Sequence, residues 1–217
     1  VDVQYGMSQR EDLMVICTDP SSQRSLYSLQ SLQGVEQVEG FRTVPAKLQF
    51  RHRHYRTAVN GIEPDSHLMR LLDTELKPIH VPSEGVVLTD YLAEILRIQP
   101  GDMLTIEVLE GNRPIVQVPV VGTAKQYLGV NAYMRRGALN RLLKEGHALT
   151  GALLTVDERY QREVYAELKE MPRIAGVVEH DAAIQAFYDT LAETILFFTL
   201  ITTILGATIS FGVVYNS

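Results

Sequence analysis

The chain has 217 residues, with 20 Lys and Arg against 26 Asp and Glu, a formal net charge of −6 and a pI near 5.5. That balance argues against a nucleic-acid-binding domain, whose footprint is a net basic surface, and 46% hydrophobic residues with 15 Gly and 9 Pro rule out a disordered or collagenous chain. The single cysteine, Cys17, forms neither an intrachain disulfide nor a thiolate zinc site.

Leu13 to Thr18 is an apolar run closed by Asp19-Pro20 and predicts a strand. Ser21 and Ser22 are cap residues for a helix whose Leu26, Leu29 and Leu32 recur at three-residue spacing, and Gly34 closes it before a second strand over Val35 to Phe41. The block that follows has a different texture. Leu48, Phe50, His52 and His54 alternate against Lys47, Gln49, Arg51 and Arg53, the period of a strand. Short helices are predicted at His67 to Leu72, Asp90 to Leu96 and Ala138 to Lys144, the last ended by Gly146. Met103 to Leu109 and Pro114 to Val121 flank Glu110-Gly111-Asn112-Arg113 as a hairpin, with Pro119 suggesting an edge strand. Near the end the first grammar returns: a strand over Ala152 to Val156, a helix capped by Asp157 and carrying Val164 and Leu168, and a strand over Ile174 to Val178.

Charge then stops. Residues 194–217, TILFFTLITTILGATISFGVVYNS, carry no charged side chain, and 24 residues make about 36 Å of helix against a hydrocarbon core of about 30 Å. The stretch predicts a transmembrane helix, against the alternative of a buried core helix. Thr202, Gly206 and Ser210 fall at i, i+4 and i+8, a small-residue stripe on which another membrane helix packs. Asp181 is a cap for a helix with Ile184, Phe187, Tyr188 and Leu191 on one side, so a stalk over 182–193 runs into the span. The chain starts at Val1 without Met and has no basic anchor after the span, which reads as an excerpt of a longer membrane protein.

The expected fold class is therefore α+β: a two-lobed ectodomain over 1–193 followed by a transmembrane helix over 194–217. Lobe 1 comprises β-α-β units at 13–41 and 152–180, and these bracket an inserted, strand-rich lobe 2 at 42–151.

The sharpest polar cluster is Arg51-His52-Arg53-His54-Tyr55-Arg56, with Arg42 and Lys47 nearby. It admits three readings. As a metal site it offers only His52 and His54, flanked by arginines that repel a cation. As a site for an anion or lipid headgroup, Arg51, Arg53 and Arg56 supply guanidinium forks that match phosphate. As a solvated hairpin tip it has no ligand. No G-x-S-x-G, G-x-x-x-x-G-K-S/T or H-E-x-x-H occurs, the acidic pairs such as Glu107 with Glu110 read as structural, and Cys17 reads as a buried small hydrophobe. No residue is assigned a catalytic or metal-binding role, and no cofactor is expected.

At Gly85-Val-Val-Leu-Thr-Asp-Tyr-Leu-Ala-Glu-Ile-Leu-Arg-Ile-Gln-Pro-Gly-Asp102, followed by Met103-Leu104-Thr105-Ile106, the chain resembles the extracytoplasmic region of FtsX-like, MacB-type ABC transporter permeases. Those domains carry a strand, an L-A-x-x-L helix, a Pro-Gly-Asp turn into a strand and a later Val-Val-Gly, here Val120-Val121-Gly122. The apolar ending through Phe211-Gly-Val-Val-Tyr-Asn-Ser217 is similar to the membrane helix that opens the permease core. The resemblance implies a non-enzymatic subunit of the inner membrane, with 1–193 on the extracytoplasmic side. It also implies a separate cytoplasmic ABC ATPase, a second permease subunit in a dimer, and action on membrane lipid, a lipoprotein, a hydrophobic molecule or a periplasmic partner protein, by mechanotransmission and with no nucleic acid. The competing expectations are a membrane-anchored ligand-binding or scaffolding domain without mechanical role, and a membrane-tethered hydrolase.

Overall fold

The computed structural model describes residues 11–64, 66–69, 71–72, 78–79, 81–125, 129–179, 194–199 and 201–206. In chain order its elements are β1 (Leu13–Ser22), α1 (Arg24–Gln30), β2 (Val35–Phe50), β3 (Arg53–Ile62), β4 (Leu71–Leu72), β5 (Pro78–Ile79), β6 (Val86–Thr89) and α2 (Asp90–Leu96). There follow β7 (Met103–Val108), β8 (Ile115–Ala124), β9 (Ala132–Arg135), α3 (Arg136–Leu143), β10 (Ala148–Val156), α4 (Gln161–Glu170) and β11 (Ile174–Glu179). The result is a mixed α+β domain.

Nine strands form one sheet in the order β11-β1-β10-β2-β3-β9-β6-β8-β7. Its first part interleaves the two β-α-β units, with β10 antiparallel to both β1 and β2, so that neither unit stands alone. One face of this part is apolar because Leu13, Val15, Ala152 and Leu154 alternate onto it, and α1 and α4 cover it with Leu29, Val164 and Leu168. Neighbouring strands meet so closely at Gly151 that a Cβ there would lie 2.2 Å from the Val15 carbonyl oxygen and 2.6 Å from the Phe41 ring.

At residue 42, β2 changes partners. Phe41 is paired with Gly151 of β10, whereas Arg42 opens the ladder to Gly61 of β3. Beyond this point β2 bonds to β3 on one side and β7 on the other, which closes β2-β3-β9-β6-β8-β7 into a six-stranded barrel and leaves none of these strands with a free edge. Alternate residues, among them Val44, Leu48, Val59, Leu88, Leu104 and Ile106, fill its interior, and α2 and α3 pack onto the same cluster through Leu92, Leu96 and Leu139.

Several local expectations are corrected. The alternation over 47–54 is not one strand: β2 ends at Phe50, and β3 starts at Arg53 after a two-residue turn. Pro119 lies in β8 between β6 and β7 rather than on an edge; it sits one residue before Val120, the first partner of β6, where the β6 ladder has not begun and no amide hydrogen is needed. No helix forms at the described residues 67–69 and 71–72. Glu39 accepts hydrogen bonds from Ser66 Oγ, His67 N (2.9 Å) and Leu68 N (3.4 Å), fixing this segment as a strap, and Leu71–Leu72 is strand. Neither Ser22 nor Asp157 supplies a side-chain cap: α1 and α4 follow Gln23 and Tyr160, and α3 ends on left-handed Lys144 before Gly146. Helix α2 matches its predicted bounds.

Contacts divide the chain into two units between Val177 and Val178. In the second, residues 194–199 and 201–206 are helical, and Ile195, Leu196, Phe197, Phe198, Ile204 and Leu205 are exposed. Among the described residues no helix is long and apolar enough to cross a membrane. The expected stalk at 182–193 and the rest of the expected span, residue 200 and residues 207–217, lie outside the described residues.

Candidate functional site

The arginine run is split by a tight turn. Phe50 pairs with Arg53 and Leu48 with Tyr55, so Arg51 and His52 form the connection, and Arg51 adopts a left-handed φ of 54° that costs a residue with a Cβ about 1 kcal/mol. The turn also shifts the phase of the alternation. Arg53 falls in line with Tyr55 and donates from Nη1 to the Ile95 carbonyl (3.2 Å), one of the end carbonyls of α2 that lack an intrahelical partner. Arg51 lies with its guanidinium carbon 5.1 Å from the Phe50 ring centroid. Arg56, paired across the ladder with Lys47, is exposed on the other side of the hairpin, where Lys47 meets Glu107 at 3.3 Å. The three arginines thus share one hairpin but do not converge: Arg51 lies against Phe50, Arg53 bonds to the end of α2, and Arg56 is exposed. His52 and His54 are exposed, and among the described residues no group of three or more His, Cys, Asp or Glu could hold a metal ion.

A second arginine is treated oppositely. Arg42, at the point where β2 leaves β10 for β3, is 1% exposed. Its Nε and Nη2 donate to the two carboxylate oxygens of Glu145, each at 3.1 Å, and Nη2 also donates to Glu110 at 2.9 Å. Nη1 donates to Thr150 Oγ1 (2.8 Å) and to the Thr43 carbonyl (3.3 Å), so all five guanidinium donors are used. Burial disfavours the cation, but the hydrogen bonds it donates to Glu145 and Glu110 outweigh this and raise the Arg42 pKa above its ordinary value. The partners come from the connection between β7 and β8, the segment after α3, and β10. Thr150 Oγ1 accepts from Thr43 N and donates to Thr43 O, both at 3.1 Å, stitching β10 to β2 beside the guanidinium. The cluster therefore fastens the barrel to the first part of the sheet.

A further fastener is the strap held by Glu39, whose Leu68 packs with Phe41 and Leu153. A second buried arginine, Arg136, donates to Glu63 and ties the start of α3 to the end of β3. Sequence reading missed the Arg42 cluster, because its carboxylates lie 68 and 103 residues away. The available signal was a lone Arg between Phe41 and Val44 in an otherwise buried stretch of strand.

In the second unit, Thr199 and Thr202 donate their hydroxyls to the carbonyls of Ile195 and Phe198, and Thr203 to that of Thr199, at 2.7 to 2.8 Å. Gly206 has open space at its Cβ position, and Ser210 lies outside the described residues.

This arrangement, an interleaved β-α-β sheet whose second strand runs on into a closed barrel, has solved counterparts. The fold is similar to that of two extracytoplasmic domains. The extracellular domain of the noncanonic ABC-type transporter YknZ from Gram-positive bacteria aligns with a TM-score of 0.51 at 14% identity, covering 71% of this chain and 88% of that one. The periplasmic region of MacB from Actinobacillus actinomycetemcomitans aligns with a TM-score of 0.54 at 10% identity, covering 85% of this chain and 95% of that one. No protein-family model matches the chain, and no curated protein matches it in sequence.

Proposed function

We propose that the chain is the extracytoplasmic domain of an FtsX/MacB-like ABC transporter permease subunit. It couples ATP hydrolysis by a separate cytoplasmic ATPase to movement of an external domain that acts on a lipid, lipoprotein, hydrophobic molecule or partner protein. The observation that carries this reading is the fold: nearly the whole of the MacB periplasmic region superposes on 85% of this chain.

Two features of this chain support the mechanical part. A domain that passes on displacement must not bend where its parts meet, and the Arg42 cluster and the Glu39 strap both bond across that junction. Threonines that return their hydroxyls to the i−4 carbonyl leave a helix apolar all round, which suits 194–217 to lipid, with Thr202, Gly206 and Ser210 as its packing stripe. On this reading 1–193 lies outside the inner membrane, as lobe 1 (13–41, 152–180), lobe 2 (42–151) and a stalk (182–193), and the subunit works beside a second permease subunit. The exposed hairpin with Arg51, Arg53 and Arg56 is the candidate contact for an anionic headgroup or acidic partner.

Membrane extraction combined with affinity isolation tests the reading. The full chain should stay in the membrane at alkaline pH and co-isolate with an ABC ATPase. Release at high pH, or isolation without any ATPase, would count against it.

A further inference from the structure

The two edges of the interleaved part of the sheet are finished differently. Along β2, residues 35–41 carry Glu36 and Glu39, and Glu39 holds the 66–69 strap beside the strand. Charges and a covering segment are the usual means of blocking an edge. β11 has neither. Its sequence IAGVVE contains no Pro and no Lys, Ala175 and Val178 are exposed, and it ends the strand order with β1 as its neighbour among the described residues. A Cβ at Gly176 would meet nothing within 4 Å.

We propose that β11 pairs edge to edge with β11 of a second copy of this chain, antiparallel and centred on Gly176. The register follows from two constraints. Thr18 N donates to the Arg173 carbonyl (2.9 Å), so Arg173, Ala175, Val177 and Glu179 turn their main-chain groups toward β1. Gly176 and Val178 turn both main-chain groups outward, and Ile174 its carbonyl, while the Ile174 N–H donates to the Met171 carbonyl (3.0 Å); only outward-facing groups can bond to a new strand. Pairing Gly176 with itself and Ile174 with Val178 uses every free outward group except the Val178 carbonyl and overlaps the whole strand. It also brings Arg173, the turn residue just before β11, beside Glu179 of the other copy, where opposite charges attract. Shifting the centre to residue 175 or 177 shortens the overlap and separates both charge pairs. A two-fold pairing of one surface on itself is the commonest form of closed homodimer.

The inference deepens the proposed function by naming where two copies meet, and rests on that reading only for the copies sharing a membrane. Cross-linking in the full chain tests it, in a Cys17→Ser background. Two Gly176→Cys copies would bring their Cα atoms to about 5.5 Å, within disulfide range, and mild oxidation should give a dimer. Val178→Cys alone should not, because residue 178 faces 174 of the partner and the two sulfurs stand on the order of 13 Å apart. Arg173→Glu or Glu179→Arg, each added to Gly176→Cys, places like charges opposite each other twice and should lower the cross-link yield roughly fivefold. Mixing the two charge variants restores both pairs and should restore the yield. Copies carrying different tags report association separately. If they co-isolate while Gly176→Cys fails to cross-link, or Val178→Cys cross-links as well, the edge pairing is wrong and the permease reading stands. Cross-linking with charge rescue but without any ATPase would keep the pairing and remove the permease reading. Equal yields in both charge variants and their mixture would mean that residues 173 and 179 do not face each other and would overturn the register centred on Gly176.

Discussion

Arg42 and the hairpin at Arg51 to Arg56 lie on the same antiparallel pair of strands, and the fold uses them for opposite ends. Arg42 has lost its water and gained five hydrogen bonds, two carboxylates among its partners, at the place where the sheet changes from an open layer to a closed barrel. The hairpin arginines keep theirs, apart from Arg53, and share no single target. Charge density therefore does not mark the arginine that matters to the architecture. A buried cation is expensive to strand, whereas an exposed one can be lost and its place taken by water.

Substitutions can break this contrast, beginning with the largest effect. Arg42→Ala should lower the unfolding free energy by about 3 kcal/mol, the lower end for a broken buried pair, because Glu110 and Glu145 are about one-third exposed and can rehydrate. Urea denaturation of Arg42→Ala and Arg42→Lys measures it, and Lys should rescue only in part since it cannot form the fork on Glu145. Equal stability of the wild type and Arg42→Ala would erase the distinction. Glu145→Gln removes one bidentate partner and should cost about 1–2 kcal/mol, and a double-mutant cycle with Arg42→Met should show clear coupling between the two residues. Next comes Arg53→Gln, at about 0.5–1 kcal/mol for the lost bond to the end of α2. Arg51→Gln and Arg56→Gln should each stay within about 0.5 kcal/mol while weakening binding to vesicles of anionic lipid. A hairpin variant as destabilised as Arg42→Ala would place the architectural arginine in the wrong element.

The smallest effect concerns an exposed pair. Arg159 hydrogen-bonds and faces the Asp157 carboxylate, lowering its pKa from 3.8 to about 2. A depressed carboxylate pKa stabilises the fold above the unfolded value and loses that contribution as pH falls through the folded one. Asp157→Asn should therefore lower the melting temperature slightly at neutral pH, with the difference closing between about pH 4 and pH 2. A difference that widens in acid would contradict the assigned interaction.

The two regions also differ in how legible they were. The β-α-β units could be read because their signals are local: Leu26, Leu29 and Leu32 in one helix and Val164 and Leu168 in the other repeat at helical spacing. Helix α2 was equally plain, from Asp90 to Leu96. The barrel was visible only as a strand-rich block, because its closure depends on β2 meeting β7 some sixty residues later, and nothing in either strand alone records that pairing. The hairpin shows the same limit at short range. A two-residue turn preserved an apparent alternation across Phe50 and Arg53 while reversing which side each residue faces. Arg42 was legible only as an anomaly, since its partners are set by the closure itself. The strap at 66–69 was misread as helix because Glu39, from another strand, supplies its bonds.

On the proposed function, the external domain is displaced when ATP is used in the cytoplasm. The most direct measurement places spin labels at the exposed Tyr27, as Tyr27→Cys with Cys17→Ser, in the full chain assembled with its ATPase, and follows the distance between copies with and without ATP. The distance should change on ATP binding, and a Gly-Gly-Ser-Gly insert between Asp189 and Thr190 should abolish the change while leaving ATP hydrolysis and assembly intact. An unchanged distance with ATP, or full movement despite the flexible insert, would contradict the mechanical account and favour an anchored binding domain.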